Sequence, residues 1–296
     1  MPRPLIVAAW MLFGAVGFAL IMVIVRHLSA NLDPFVLNFW RSIFSILMFA
    51  PWIMRVGFGA MRTKRLPLFA LRSVVMVASS LMLLWSAVLI PIGEATAITF
   101  TAPLFTTLLA AVMLKEKVGP RRVAALFVGF LGVLVMLRPG QEAVSLGAML
   151  AIASSILFGF VVIFGKQLSA TERPELVILM LSIFNLPISF VPAVLFWQVP
   201  QGEEWLWIIG LGIAANMNMY GIQRAISAGD ASLAQVFDFV RLPLSVGLAW
   251  WAFAEVPDPW MWAGAAIIFI ATVYTTRREA QLARRTPVGM TPRTRP

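Results

Sequence analysis

The sequence predicts an all-α integral membrane protein of ten transmembrane helices, arranged as two inverted five-helix repeats. Three observations predict it. Hydrophobic residues make up 60% of the 296 residues and charged residues 12%, about half the charged share of a water-soluble domain. Ten stretches approach the roughly 20 apolar residues that cross a bilayer core of about 30 Å, and the short alternating segments of a β-barrel are missing. Finally, the chain is written twice. Arg26, Leu28-Ser29-Ala30 and Pro34 return 140 positions later as Lys166, Leu168-Ser169-Ala170 and Pro174, and Ser42-Ile43-Phe44 returns as Ser182-Ile183-Phe184.

In chain order the stretches are 5–25, 35–54, 67–90, 95–114, 121–137, 145–165, 174–199, 205–223, 231–254 and 259–276. The first runs straight into Arg26-His27 without a small-residue cleavage site, so it is expected as a retained helix and not a signal peptide. The first five form one repeat within 1–140, and the next five form the second within 141–276. In the second half of each repeat the offset becomes 139, pairing Glu116 with Glu255, Pro120 with Pro259 and Arg138 with Arg277. Five is odd, so the second copy enters the membrane from the opposite side. Such inverted repeats recur in secondary transporters, with the substrate site near the midplane between them. Residues 277–296 are rich in Arg, Thr and Pro and are expected as a disordered, basic cytoplasmic tail.

Charge placement orients the bundle. Of the 23 Lys and Arg, 18 fall on the side of a cytoplasmic N-terminus, at Arg3, Arg55 to Arg65, Lys115 to Arg122, Lys166, Arg173, Arg224 and the tail, and Arg41, Arg72 and Arg241 lie within the helices. Opposite them lie Arg26 and Arg138, with Asp33, Glu94, Glu142, Glu203, Glu204, Glu255 and Asp258. Positive residues stay inside, so both termini are expected in the cytoplasm, as for a multi-pass protein of a bacterial inner membrane. The net charge of +10 is thus a topology signal, with anionic lipid as its neighbour and nucleic acid excluded as a partner. Trp197, Trp205 and Trp207, and then Trp250, Trp251, Trp260 and Trp262, flank two outer connections as interfacial anchors.

Ten stretches in two inverted sets carry recurring local patterns. An Arg stands early in the second (Asn38-Phe39-Trp40-Arg41), a Pro in the fourth (Ala102-Pro103-Leu104-Phe105) and a Glu at its end (Leu114-Lys115-Glu116). The second copy has Leu242-Pro243-Leu244, Ala254-Glu255 and Pro259. Over nearly its whole length the chain resembles the EamA family of the drug/metabolite transporter superfamily. The resemblance implies a secondary transporter or facilitator exporting amino acids, aromatic or other neutral ones, and related small metabolites by alternating access. Exporters of cationic drugs or of metabolites such as nucleosides are the alternative.

Polar groups at membrane depth cost roughly 2.5 to 3.5 kcal/mol when charged and normally face a partner or a wet cavity. The ninth stretch carries Ser232, Gln235, Asp238, Arg241 and Ser245 along one side, and the fourth carries Thr96, Thr99, Pro103 and Thr106 in the same rhythm. At offset 139, Thr96 falls on Gln235, Thr99 on Asp238 and Thr106 on Ser245. Two matched stripes point to a shared cavity. Asp238 and Arg241, three apart, either face the charged groups of a substrate or neutralise one another. The eighth stretch adds Asn216, Tyr220 and Gln223, which serve substrate recognition or interhelical bonds equally well. Its counterpart, the third, carries Arg72, Ser79, Ser80 and Trp85. Ser79 joins the substrate-binding candidates, and Arg72 is expected to snorkel toward lipid headgroups. Phe18 and Phe158 are symmetry mates in the first and sixth stretches, where Gly14 and Gly17 allow close approach. Arg41 is expected to pair with a backbone carbonyl or an outer acid, and His27 to be an ordinary interfacial side chain. Pro103 and Pro243 are read as lying inside helices, each removing one backbone bond, as hinges or as fixed bends.

Zero Cys and one His exclude thiolate and histidine-rich metal centres. Gly159 to Lys166 has five residues between its glycines where a phosphate loop needs four, and no catalytic dyad is evident. No metal or cofactor is expected, and an intramembrane enzyme or an inert scaffold is disfavoured against a monomeric carrier of a small molecule.

Overall fold

A computed structural model describes residues 3–56, 63–113, 120–137, 145–169, 172, 174–228 and 237–285. Among the described residues the chain is all helical, with no strand. The helices are α1 (Arg3–Leu28), α2 (Pro34–Val56), α3 (Leu66–Leu89), α4 (Ile92–Thr99), α5 (Ala102–Met113), α6 (Pro120–Leu137), α7 (Leu146–Ser169), α8 (Pro174–Leu195), α9 (Glu204–Ala228), α10 (Arg241–Phe253) and α11 (Pro259–Arg285). Five spans are long and apolar enough to cross a membrane, namely α1, α3, α4 with α5, α7 and α9. Shorter apolar segments lie at Pro34–Met48, Leu179–Leu195 and Pro259–Ala271.

Local chemistry sets several of these boundaries. Asp33 precedes Pro34 and accepts the Phe35 N–H at 2.9 Å; Asp258 precedes Pro259 and accepts the Trp260 N–H at 2.8 Å. In both, an acid at the cap and a proline at the first helical position start the helix where no intrahelical donor is lost. Ser145 caps α7 through the Ala148 N–H. Helix α10 stops at Ala254, a non-glycine residue at φ 53° whose N–H returns to the Trp250 carbonyl at 2.9 Å. That left-handed stop turns the chain sharply and sends Glu255 back toward α1 and α4.

Helix α1 packs along α9, α3 along α7, α2 along α8 and α6 along α11. The α1–α9 seam is backbone to backbone: a Cβ on Gly17 would fall 2.6 Å from the Ala214 carbonyl oxygen, and one on Gly221 2.6 Å from the Gly14 nitrogen. Small residues in α1 therefore serve close approach, as expected. One buried cluster joins Phe18, Met22 and Leu28 of α1 to Leu84 of α3 and Ile208 and Leu211 of α9. A second joins Ile98 and Phe100 to Val133 of α6, Ala148 of α7, Leu242 of α10 and Ile268 of α11. Large apolar side chains such as Leu108, Phe127, Leu195, Leu206, Trp251 and Ile270 point outward, as a lipid-facing surface requires.

Several expectations need correction. The fourth stretch begins at Ile92 and is interrupted at Phe100 and Thr101. The ninth is likewise interrupted at Phe239 and Val240, after a helical turn at 237–238. Pro103 is the second residue of α5 and Pro243 the third of α10, so neither removes an intrahelical bond from a continuous helix. Prolines do lie inside other helices, among them Pro187 and Pro192 of α8, which ends at Leu195 and not at 199. Helix α11 runs on to Arg285, so the expected disordered tail is helical over residues 277–285.

Candidate functional site

The two interruptions are built alike. At the first, the Thr101 N–H bonds to the Ile98 carbonyl at 3.0 Å and the Phe105 N–H to the Thr101 carbonyl at 3.3 Å. At the second, the Val240 N–H bonds to the Phe237 carbonyl at 3.1 Å and the Leu244 N–H to the Val240 carbonyl at 3.3 Å. Every one of these positions is related to its counterpart by 139. So are Phe100 and Phe239, whose rings stack on each other with centroids 4.2 Å apart and planes 12° from parallel. Phe269 closes edge-on against Phe239 at 4.6 Å.

Arg241 opens α10 beside this stack. Its Nη1 lies 3.3 Å from Asp238 Oδ2, and its Nη2 donates to Thr99 Oγ1 at 2.9 Å. The Thr99 hydroxyl in turn donates a hydrogen bond to the Thr96 carbonyl at 2.6 Å. The guanidinium centre is 4.8 Å from the Phe18 ring centroid and 4.5 Å from that of Phe100, so the planar cation is held between two aromatic faces. Arg241 Nε is buried without a hydrogen-bond partner, as are the hydroxyls of Thr96 on α4, Thr101 in the first interruption and Ser245 on α10. A buried donor left unpaired costs about 1 to 3 kcal/mol. The site can therefore receive an acceptor group next to a flat aromatic surface.

The structure thus brings together Thr99, Asp238, Arg241 and Phe18, with Pro103 two residues beyond the first interruption. Gln235 and Ser232 lie outside the described residues. Ser79 is 3% exposed and fully engaged: its hydroxyl donates to the Ser154 carbonyl at 2.8 Å, and the Ser154 hydroxyl donates back to the Ser79 carbonyl at 2.7 Å, locking α3 to α7. Asn216 Nδ2 donates to the Gly212 carbonyl and to Met48 Sδ, each at 3.1 Å, at the α2–α9 contact. Tyr220 is exposed and packs on Trp10, with the Arg224 guanidinium over both rings. Phe158 is 40% exposed whereas Phe18 is 8% exposed, so these symmetry mates occupy unlike surroundings.

Phe100 and Phe239 are not among the residues expected from sequence, although the offset of 139 that pairs Thr99 with Asp238 pairs them identically. Two arginines also depart from expectation. Arg72 does not reach for headgroups but donates from Nε to the Val161 carbonyl of α7 at 3.2 Å. Arg41 takes no backbone carbonyl or outer acid among the described residues; its Nη2 donates to Asn38 Oδ1 at 2.6 Å and Ser80 Oγ at 2.8 Å. His27 packs against Trp207 at 4.8 Å, an ordinary contact between helix ends.

A third feature lies at the end of the bundle where α1 and α3 stop and α4 begins. Arg26 Nη1 is 2.9 Å from Glu255 Oε1 and donates to the Ala87 and Ile90 carbonyls at 3.1 and 2.6 Å. Glu255 Oε2 accepts the Ile92 N–H at 2.9 Å. One ion pair thereby serves the carbonyl end of α3 and the amide end of α4, where each charge complements the helix dipole.

The family model of the EamA-like transporter family matches the chain twice, over residues 5–138 and 145–277. A riboflavin transporter of Rhizobium johnstonii is 32% identical over 288 residues, covering 96% of this chain and 95% of that protein. A riboflavin transporter of Vibrio cholerae is 30% identical over 288 residues, covering 96% and 97%. An S-adenosylmethionine uptake transporter of Rickettsia prowazekii is 26% identical over 265 residues, covering 90% of each chain. A solved crystal structure superposes with a TM-score of 0.62 at 18% identity, covering 91% of this chain and 98% of that one, which speaks for the fold alone.

Proposed function

From the fact that this chain belongs to the EamA-like transporter family and is a transporter of the drug/metabolite superfamily, not an enzyme, we propose that it carries a flat heteroaromatic metabolite of the riboflavin kind across a bacterial inner membrane. One observation carries the choice of substrate: the Arg241 guanidinium held between Phe18 and Phe100 with its Nε unpaired. A fused heteroaromatic ring can take the place of one aromatic face and present a carbonyl edge to that donor. Two relatives at 30% and 32% identity bear riboflavin in their names, and S-adenosylmethionine, in the name of a third, also contains a heteroaromatic base.

The architecture in this proposal is ten membrane-crossing helices in two inverted halves, 1–140 and 141–276, working as a monomer with both termini cytoplasmic. Support comes from the doubled family match, the offset of 139 to 140, and the helix pairing. In that scheme α1 with α9 and α7 with α3 are the same contact seen from either half, while α2 with α8 and α6 with α11 are each a contact between equivalents. Alternating access then exposes Thr99, Phe100, Asp238 and Arg241 to one side at a time. The Arg26–Glu255 pair stands where the outer closure is needed, since the charge asymmetry puts that end outside.

Counterflow in proteoliposomes tests the reading, with flavin fluorescence quenching as a parallel binding assay. Wild-type protein exchanges riboflavin, and Arg241→Gln abolishes both signals. The composition of the resemblance also allows export of aromatic amino acids: exchange of tryptophan or phenylalanine without any flavin signal would establish that reading instead.

A further inference from the structure

Arg41 stands seven residues into α2, about 10 Å along the helix. Its partner Ser80 is nine residues before the end of α3, about 14 Å from the same end of the bundle. The guanidinium therefore lies near the middle of a hydrocarbon core about 30 Å thick. No carboxylate pairs with it among the described residues, unlike Arg241, which has Asp238. Only Nη2 is engaged there. Around it the donors exceed the acceptors: Asn38 is fully buried, its Oδ1 takes the Arg41 proton, and its Nδ2 has no partner. Ser42 is occupied by the Asn38 carbonyl and by Asn185 Nδ2 at 2.9 Å.

A belt of contacts connects this arginine to the other. Ser80 holds Arg41, its neighbour Ser79 locks to Ser154, the next residue Ser155 donates to the Ala151 carbonyl at 2.9 Å with its hydroxyl 3.4 Å from the Ile98 carbonyl, and the next, Thr99, accepts from Arg241. Five helices, α2, α3, α7, α4 and α10, thus carry polar groups through consecutive residues between about 9 and 18 Å from the end that Arg26 and Glu255 close. An unpaired cation at this depth costs several kcal/mol unless something compensates it.

We infer that Arg41, held by Asn38 and Ser80, is a second recognition pole of the transport site and takes the electronegative tail of the substrate, a polyol or carboxylate, while the aromatic face at Arg241 takes its ring. The inference deepens the proposed function and rests on its ring-binding slot. It assigns ring and tail to different helices, and so to separable substitutions.

The test measures binding and counterflow for two ligand pairs, each with and without its electronegative group: riboflavin against the N10-methyl isoalloxazine that lacks the polyol, and tryptophan against tryptamine, which lacks the carboxylate. In wild type the tailed member of the transported pair binds at least about tenfold more tightly. Arg41→Gln erases that preference while the tail-less ring binds as before. Arg41→Lys keeps the charge, loses the fork and retains part of the preference. It also serves as the readout where Arg41→Gln does not yield monodisperse protein. Loss of both members alike, or of neither, overturns the role of Arg41 and leaves the ring slot standing. Wild-type protein that binds no member of either pair overturns the slot and this role together.

Discussion

Two interruptions share one backbone and differ in chemistry. Around Phe100 the chain supplies Thr99 and Ala102; around Phe239 the equivalent places hold Asp238 and Arg241. The hydrogen bonds that turn each helix fall at matching positions, and the two phenylalanines touch each other. Geometry is therefore set by what the halves keep in common, whereas the charged groups at the interruptions themselves, Asp238 and Arg241, come from one half alone. The neutral half contributes the acceptor, Thr99, that the charged half needs.

Removing the charge on one side breaks this division most severely. Arg241→Gln leaves the half-buried Asp238 without its partner; transport should fall at least 100-fold and thermal stability should drop. The double substitution Asp238→Asn with Arg241→Gln should recover the stability but not the transport, read by a melting curve alongside liposome uptake. Next come the twin rings. Phe100→Leu loses a cation contact worth about 0.5 to 2 kcal/mol as well as the stack, and should raise the substrate KM about tenfold. Phe239→Leu loses ring contacts of about 0.5 to 1.5 kcal/mol each, and should lower the melting temperature with a KM within about threefold of wild type. Equal KM effects would mean that the two rings face the ligand equally. Thr99→Val removes the acceptor of the charged Arg241 guanidinium, a bond of about 1.5 to 3 kcal/mol, together with the hydroxyl's own bond to the Thr96 carbonyl, and should cost roughly fivefold in kcat/KM. Smallest is Pro103→Ala. In the first turn of α5 the missing N–H has no partner to lose, so uptake should stay within about twofold; a large loss would restore the proline to the role of a hinge.

The membrane class, the repeat and the Thr99, Asp238 and Arg241 cluster were legible because they follow from composition and spacing. Residues three apart on a helix share a face, and the same offset aligned both stripes. The breaks were not legible: a run such as Ala95 to Leu114 is apolar and rich in helix formers throughout, and Pro103 was read as a kink in a continuous helix when it begins a new one. Ser79 shows a second limit. A serine in an apolar helix reads the same whether it faces a ligand or another helix, and only its reciprocal bonds with Ser154 distinguish them. Phe100 and Phe239 carry no signal of their own in the sequence, because a ring reveals its role through what it touches and not through its neighbours in the chain.

The contact between Phe100 and Phe239 has a further consequence. Each ring is the surroundings of its own counterpart, so a change at either position is felt at both places in the chain. At neighbouring positions along these helices the halves differ, threonine in one and aspartate in the other, alanine in one and arginine in the other. At this point of mutual touch a substitution in one copy is also an alteration of the surroundings of the other.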